Sequence, residues 1–133
     1  MKLFHKGKDG GPESTVTGYW LIEWKGGFSV ALLRFADGSR EAFHNHAFNA
    51  VSWHIKGELQ EDVRCGPLVG YTKFYWPSFS PIFTYREDMH KVSSNGISWA
   101  LTFRGPWTKT WDEYLPKENR HRTLMSGRVE VDN

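Results

Sequence analysis

GSREAFHNHAFNAVSWHIKG, residues 38–57, is the stretch that decides the fold. Its residues follow the period of paired strands rather than that of a helix. His44 and His46 stand two positions apart, so in an extended chain both side chains leave the same face, about 7 Å apart at the backbone. Two such imidazoles can bind one metal ion when a third ligand comes from another strand, and His90 is the candidate. The sequence therefore predicts a metal site formed by His44, His46 and His90.

The rest of the chain also favours sheet over helix. Aromatic residues make up 16% of the 133 residues, and seven of them are tryptophans. Aromatic residues of this kind are enriched in strands. Turn signals recur every 8 to 12 residues, among them Lys25-Gly26-Gly27, Gly57 and the run from Ser93 to Gly96. About ten short strands follow from this punctuation, which indicates an all-β sandwich or barrel in a single domain.

The chain ends differ in composition from its middle. Residues 1–14 are polar and rich in breakers, which predicts a flexible lead-in. Residues 15–133 are expected to form the barrel, with a loose tail from Gly127 onward.

Composition argues against several classes of partner and location. The net charge is +2 and the basic residues are scattered among acids, so no stripe suited to nucleic acid is present. No apolar run approaches the roughly 20 residues that span a bilayer, and the N-terminal segment lacks the apolar core of a secretory signal. Cys65 is the single cysteine, which fits a reducing compartment. A cytoplasmic protein is expected.

The glycines that flank the histidine pair carry a family resemblance. The spacing of Gly38, His44, His46 and Gly57 resembles the first motif of the cupin family, G-x5-H-x-H-x3-E-x6-G. The motif's glutamate falls on Ala50, which has no ligand atom. Of the second cupin motif, G-x5-P-x-G-x2-H-x3-N, only the histidine is present, as His90. The chain thus resembles a small cupin-like protein with three histidines and no glutamate at its site.

The resemblance implies a fold and a chemistry. It implies an antiparallel jelly-roll β-barrel with the metal near one mouth, and a homodimer that is common but not obligatory in the family. Cupins with three histidines are similar to thiol dioxygenases and diketone-cleaving enzymes, which bind ferrous iron. We therefore expect Fe²⁺, with Zn²⁺, Mn²⁺ or Ni²⁺ as alternatives at a nitrogen site of this kind.

Further residues are candidates for substrate binding. Three arginines near the predicted mouth could hold an anion by two-pronged hydrogen bonds, or form ion pairs at the rim: Arg34, Arg40 and Arg86. Four aromatic residues could shape a substrate wall, or belong to the core: Tyr71, Tyr75, Trp53 and Trp99. His54 has the same inward parity as Ala50, so it is either a ligand-binding group or a core histidine bonded to backbone.

Three functions remain open at this point. The first is a metal-dependent enzyme, an oxygenase acting on a small polar or anionic molecule. The second is a binding module for a small ligand or nucleotide sugar on the same barrel, which the alanine at position 50 favours. The third is a protein that binds a macromolecular partner through exposed aromatic residues.

Overall fold

The computed structural model describes residues 1–9, 14–39, 43–64, 70–86, 89–108, 110–115, 119–125 and 129–130. These residues form eleven strands and no helix, so none of them belongs to a helix that could cross a membrane. The strands are β1 (Lys2–Lys8), β2 (Val16–Glu23), β3 (Ser29–Phe35), β4 (Phe43–His44), β5 (Ala50–Arg64), β6 (Gly70–Tyr75), β7 (Ile82–Thr84), β8 (Met89–Arg104), β9 (Thr110–Leu115), β10 (Arg120–Met125) and β11 (Val129–Glu130).

Strand β8 organises the sheet, because it pairs with three others. Its second half pairs with β3, its whole length pairs with β5, and His90 near its start pairs with β4. The order β1-β2-β3-β8-β4-β9-β10-β11 completes the path, and β6 and β7 extend it from β5. Every described pairing is antiparallel, as predicted for a jelly-roll barrel. A buried hydrophobic cluster is formed by Trp20 of β2 together with Ala31 and Leu33 of β3.

Two glycines that predict turns lie inside long strands instead. Gly57 is in the middle of β5 and Gly96 is in the middle of β8, with φ angles of +89° and +75°. The pairing register of β5 with β8 shifts on the N-terminal and C-terminal sides of Lys56. The prediction of turns at these positions is wrong, because a glycine with positive φ serves a β-bulge as well as a hairpin. The bulges let two strands of 15 and 16 residues bend around the barrel.

The N-terminal segment also departs from expectation. Residues 2–8 lie in the stretch for which composition predicts a flexible lead-in, yet they form β1, which pairs with β2. The ring of His5 stacks on Trp20, and Arg104 binds both carboxylate oxygens of Asp9 at 2.9 and 2.6 Å. Polar residues are usual on an edge strand, so polarity alone did not exclude pairing here. At the other end, β11 pairs with β10 in a tail that lies mostly outside the described residues.

Candidate metal centre

The short strand β4 brings the histidine pair to the start of β8. His44 is the register partner of His90 on β8 and of Glu113 on β9. Beyond His44 the chain leaves the sheet, and backbone hydrogen bonds fix its path. The N–H of Asn45 donates to the carbonyl of Asp112 at 3.1 Å, and the N–H of His46 donates to the carbonyl of Arg86 at 3.2 Å. The two histidines therefore sit on a segment that is held from both sides.

The three predicted ligands converge on one point. The ring centroids of His44, His46 and His90 are 4.9, 5.0 and 4.7 Å apart, and one nitrogen from each ring lies within 4.8 Å of the others. His46 Nε2 and His90 Nε2 are 3.3 Å apart. Nitrogens that bind one tetrahedral ion at about 2.1 Å are separated by about 3.4 Å, so this pair already has the spacing of two ligands.

The protonation chemistry of the cluster also suits a metal. Burial lowers the pKa of His46 well below its usual value, and His90, His44 and Arg104 lower it further by electrostatic repulsion. A neutral imidazole is the form that ligates a metal. In the part of the chain that the structure describes, no group hydrogen-bonds the buried Nδ1 of His46. The three residues therefore fit a borderline-soft divalent ion.

A carboxylate that the sequence analysis did not identify binds the third histidine. Glu61 Oε2 accepts a hydrogen bond from His90 Nδ1 at 2.5 Å, and its Oε1 accepts one from the Tyr75 hydroxyl at 3.0 Å. Burial raises the pKa of Glu61, but the hydrogen bond and charge of His90, the hydrogen bond of Tyr75 and the charge of Lys73 together outweigh burial, so this pKa lies below its usual value. Burial and the adjacent Glu61 raise the pKa of Tyr75.

The signal for Glu61 lay just before Gly57, where β5 gains one residue against β8 between His54 and Lys56. Before the bulge, the even-numbered residues of β5 line the barrel interior, as Ala50 and His54 do. After the bulge, the odd-numbered residues Leu59 and Glu61 line it. A bulge adds one residue to one strand and so reverses which parity faces inward. Reading Gly57 as a turn concealed this reversal.

The histidines open onto a large cavity in the barrel, with a volume of about 610 Å³. Aromatic residues form much of its wall near His46: Phe48 lies 5.1 Å from that ring, and Trp107 lies 5.3 Å from Phe48. The Arg104 guanidinium lies over the Phe48 ring, and the Lys25 ammonium lies over Trp107. The wall therefore presents apolar surface and the Lys25 ammonium to a small molecule, while the guanidinium of Arg104 is also bound to Asp9.

Of the predicted substrate-binding residues, His54 lies inside the barrel. It is 2% exposed and lines the cavity, which confirms its inward orientation, and its Nε2 lies 2.9 Å from the carbonyl of Lys56. Tyr75, from the predicted aromatic wall, lines the cavity too. Ala50 lines it without offering a ligand atom, as the sequence indicated.

The other predicted residues that the structure describes do not line this cavity. Trp53 lies on the opposite face of β5, where it packs edge-on against Phe103. Arg34 pairs with Trp99 across β3 and β8, and Tyr71 is 49% exposed on β6. Arg86 is exposed beyond β7. Arg40 lies outside the described residues. Roles for these residues in substrate binding stay predictions.

Comparison with known proteins bears on the fold. No family model matches the sequence, and no curated protein matches it either. Many solved structures match the fold. A cupin-superfamily sugar phosphate isomerase from Silicibacter pomeroyi is 13% identical, with a TM-score of 0.64, over 100% of this chain and 93% of that one.

Two further structures match over smaller shares. Hydroxypropylphosphonic acid epoxidase from S. wedmorenis is 12% identical, with a TM-score of 0.55, over 68% of this chain and 50% of that one. HEPD from Streptomyces albus, with 2-hydroxyethylphosphonate and Fe(II) bound, is 9% identical, with a TM-score of 0.62, over 80% of this chain and 25% of that one.

This chain has the cupin fold. The resemblance seen in the histidine motif is thereby confirmed at the level of architecture. Identities this low establish the fold alone, and the chain spans about half the length of the epoxidase and a quarter of the length of HEPD. Within this cupin barrel, the cluster of His44, His46 and His90 lies on the wall of the internal cavity.

Proposed function

We propose that this chain is a metal-dependent enzyme of the oxygenase type that acts on a small polar or anionic molecule. The observation that carries the proposal is the convergence of three imidazoles on the wall of a 610 Å³ cavity. Three protein ligands leave open coordination positions, which is typical of catalytic rather than structural sites. Fe²⁺ is the proposed ion, with Zn²⁺, Mn²⁺ or Ni²⁺ as alternatives. Bound there, the ion would supply Lewis acidity and a common docking point for substrate and dioxygen.

The protein's own residues would select the substrate. All three ligands are neutral, and Ala50 contributes no charge, so the directly bound residues leave the charge of a divalent ion uncompensated. The Lys25 ammonium adds positive charge along the same wall, whereas the charge of Arg104 is paired with Asp9. Such a site favours a molecule with a carboxylate, phosphonate or thiolate group. We propose that His54, which is buried in the same cavity, contributes to substrate binding.

The test combines metal loading with oxygen uptake. Tag-free protein would be loaded anaerobically with Fe²⁺, and oxygen consumption measured with a panel of small carboxylates, phosphonates and thiols. His44→Ala is expected to abolish both iron retention and oxygen consumption. His121→Ala, which replaces an exposed histidine on β10, is the matched control and is expected to keep both. Wild-type protein that retains no iron, zinc, manganese or nickel would contradict the proposal.

A binding module on the same barrel is the second candidate. The observation that favours it is Ala50, which removes the usual cupin carboxylate from the site. In that case a small molecule would bind in the cavity without turnover. Calorimetric titration of His44→Ala with any ligand found for wild type separates the two, since ligand binding that survives loss of the metal supports the module.

We also propose that two copies of the chain pair through the outside of the barrel. A row of apolar residues crosses four strands in register: Val30, Phe103, Val51 and Phe83. Phe83 is 65% exposed and Phe103 is 41% exposed. We call these four residues the outer apolar row. Extended exposed apolar surface of this kind marks interaction sites, and a second copy offers an identical sheet to cover it.

A further inference from the structure

We propose that Glu61 is the positioning carboxylate of the metal centre, acting through His90 and supplying the negative charge that the ligand set lacks. The inference rests on the proposed metal site and extends it to a residue that contacts no metal. Metal-ligating histidines commonly donate their second ring N–H to a carboxylate, which fixes the tautomer and strengthens the ligand.

The hydrogen bond sets which nitrogen of His90 faces the cluster. His90 is 5% exposed, and its Nδ1 donates to Glu61 Oε2 at 2.5 Å. A neutral imidazole carries one N–H, so with the proton on Nδ1 the lone pair is on Nε2. Nε2 is the atom that lies 3.3 Å from His46 Nε2. Glu61 therefore holds His90 in the tautomer and orientation that a ligand requires.

Tyr75 fixes the carboxylate in turn. Its hydroxyl donates to Glu61 Oε1 at 3.0 Å, so each oxygen of Glu61 has its own donor. Because both of its oxygens accept hydrogen bonds, the carboxylate stays bound to His90 and does not rotate towards the proposed metal position to become a fourth ligand. Leu59, the β-ladder partner of Tyr75, precedes Glu61 by two residues on the inward face of β5, so strand pairing sets this contact.

The position of Glu61 matters because position 50 is alanine. A divalent ion bound by three neutral imidazoles retains a charge of +2. A carboxylate that is hydrogen-bonded to one of these imidazoles partly neutralises that charge. Glu61 is mostly buried, and charges in such surroundings are screened less than at the surface. The site thus keeps its coordination positions open while remaining charge-compensated.

The variant Glu61→Gln tests the charge separately from the shape. A glutamine can still accept from His90 and contact Tyr75, but it carries no charge. Asp62→Asn is the matched control, because Asp62 is the next residue of β5, bonds Thr72 and Gln60, and does not line the cavity. Affinity for Zn²⁺ and Co²⁺ would be measured by competition with a chelator, together with the visible absorption of bound Co²⁺ and the melting temperature of the metal-free proteins.

Glu61→Gln is expected to bind both ions 10–100-fold more weakly, with shifted Co²⁺ absorption bands and a metal-free melting temperature close to that of wild type. Tyr75→Phe, which frees one oxygen of Glu61, is expected to weaken binding by a smaller factor. Asp62→Asn is expected to match wild type in affinity and spectrum.

Three results would overturn the inference, and they are distinguishable. If wild type and Glu61→Gln bind metal with equal affinity and identical Co²⁺ spectra, Glu61 has no role toward the metal while the proposed function stands. If wild type binds neither ion, the proposed function fails together with the inference. A loss of affinity in Glu61→Gln that is matched by an equal loss in Asp62→Asn would assign the effect to strand stability and also overturn it.

Discussion

The two faces of the β5–β8 ladder are nearly the reverse of what a globular strand pair usually presents. The inner face carries polar groups such as Ser52, His54 and Thr102, with Ser52 donating to Thr102 at 3.0 Å. The outer face carries Val51 and Phe103, and the latter is 41% exposed. Burying polar groups inside a barrel lowers the free energy of unfolding unless these groups form hydrogen bonds or bind a ligand. Exposed aromatic residues lower the solubility of the protein. This difference supports the two proposals that the inner face binds a ligand and that the outer face is covered by a second copy of the chain.

The largest expected effect comes from placing a charge on the outer face. Phe103→Lys puts an ammonium group in the outer apolar row, so it is expected to convert a dimer of about 31 kDa, twice the 15.4 kDa of one chain, into monomers. Light scattering after size-exclusion chromatography measures this. Because Phe103 points away from the cavity, metal affinity should stay unchanged.

Met125→Lys provides the control for that substitution. Met125 is 45% exposed on β10, away from the outer apolar row, and the same charge there should leave the molar mass unchanged. A wild-type protein that is monomeric at high concentration would contradict the proposed dimer through the outer apolar row.

A smaller effect is expected at Gly57, next to the bulge after which the odd-numbered residues of β5, instead of the even-numbered ones, face the cavity. Gly57→Ala places a Cβ 2.4 Å from Ser98 Oγ and 2.6 Å from the carbonyl of Ile97, at a φ of +89°. We expect a loss of about 1–3 kcal/mol in the free energy of unfolding, measured by urea denaturation. Gly96→Ala has a similar φ but meets no atom within 4 Å, so it isolates the backbone strain and should cost less. Equal losses in the two variants would show that the contact of the new Cβ with Ser98 and Ile97 does not add to the cost of the backbone strain.

The smallest expected effect is a pH dependence that belongs to the inner face. The pKa of His46 lies well below 6.5, mainly because the ring is buried, whereas in the unfolded chain it returns to that value. Below pH 6.5 the unfolded state therefore binds more protons than the folded state. The free energy of unfolding of the metal-free protein should fall as pH drops through 6.5, by at most about 1.4 kcal/mol per pH unit for one residue.

Urea denaturation near pH 7.5 and near pH 5.5 measures this dependence. His46→Gln should be less sensitive to pH over that range, whereas Phe103→Lys should retain the wild-type dependence. A dependence that is the same in wild type and His46→Gln would contradict the assignment to His46.

Much of the centre follows from local sequence. The two-residue spacing of His44 and His46 predicted that their rings lie together. The glycines at positions 38 and 57 on either side of them predicted the cupin fold. The third histidine of the cluster could be predicted because only a few histidines were available to meet the pair. His54 followed from strand parity alone, since it lies before the bulge.

The rest depends on contacts that one strand does not reveal. Glu61 was missed because the bulge just before Gly57 reverses which residues of β5 face inward, and a sequence does not distinguish a glycine beside a bulge from a turn glycine. Alternation also predicts two faces without saying which is inside. Trp53 was therefore placed in the cavity wall, whereas it lies outside with Phe103. The lead-in was misjudged because the pairing of β1 and the Arg104–Asp9 ion pair are contacts between distant segments.

Anomalous diffraction from crystals grown with Co²⁺ tests the central claim most directly. The account predicts a strong peak about 2.1 Å from one ring nitrogen each of His44, His46 and His90, with Glu61 still bonded to His90 Nδ1. Absence of a peak at these three rings, or a peak held only by exposed histidines such as His121, would contradict it.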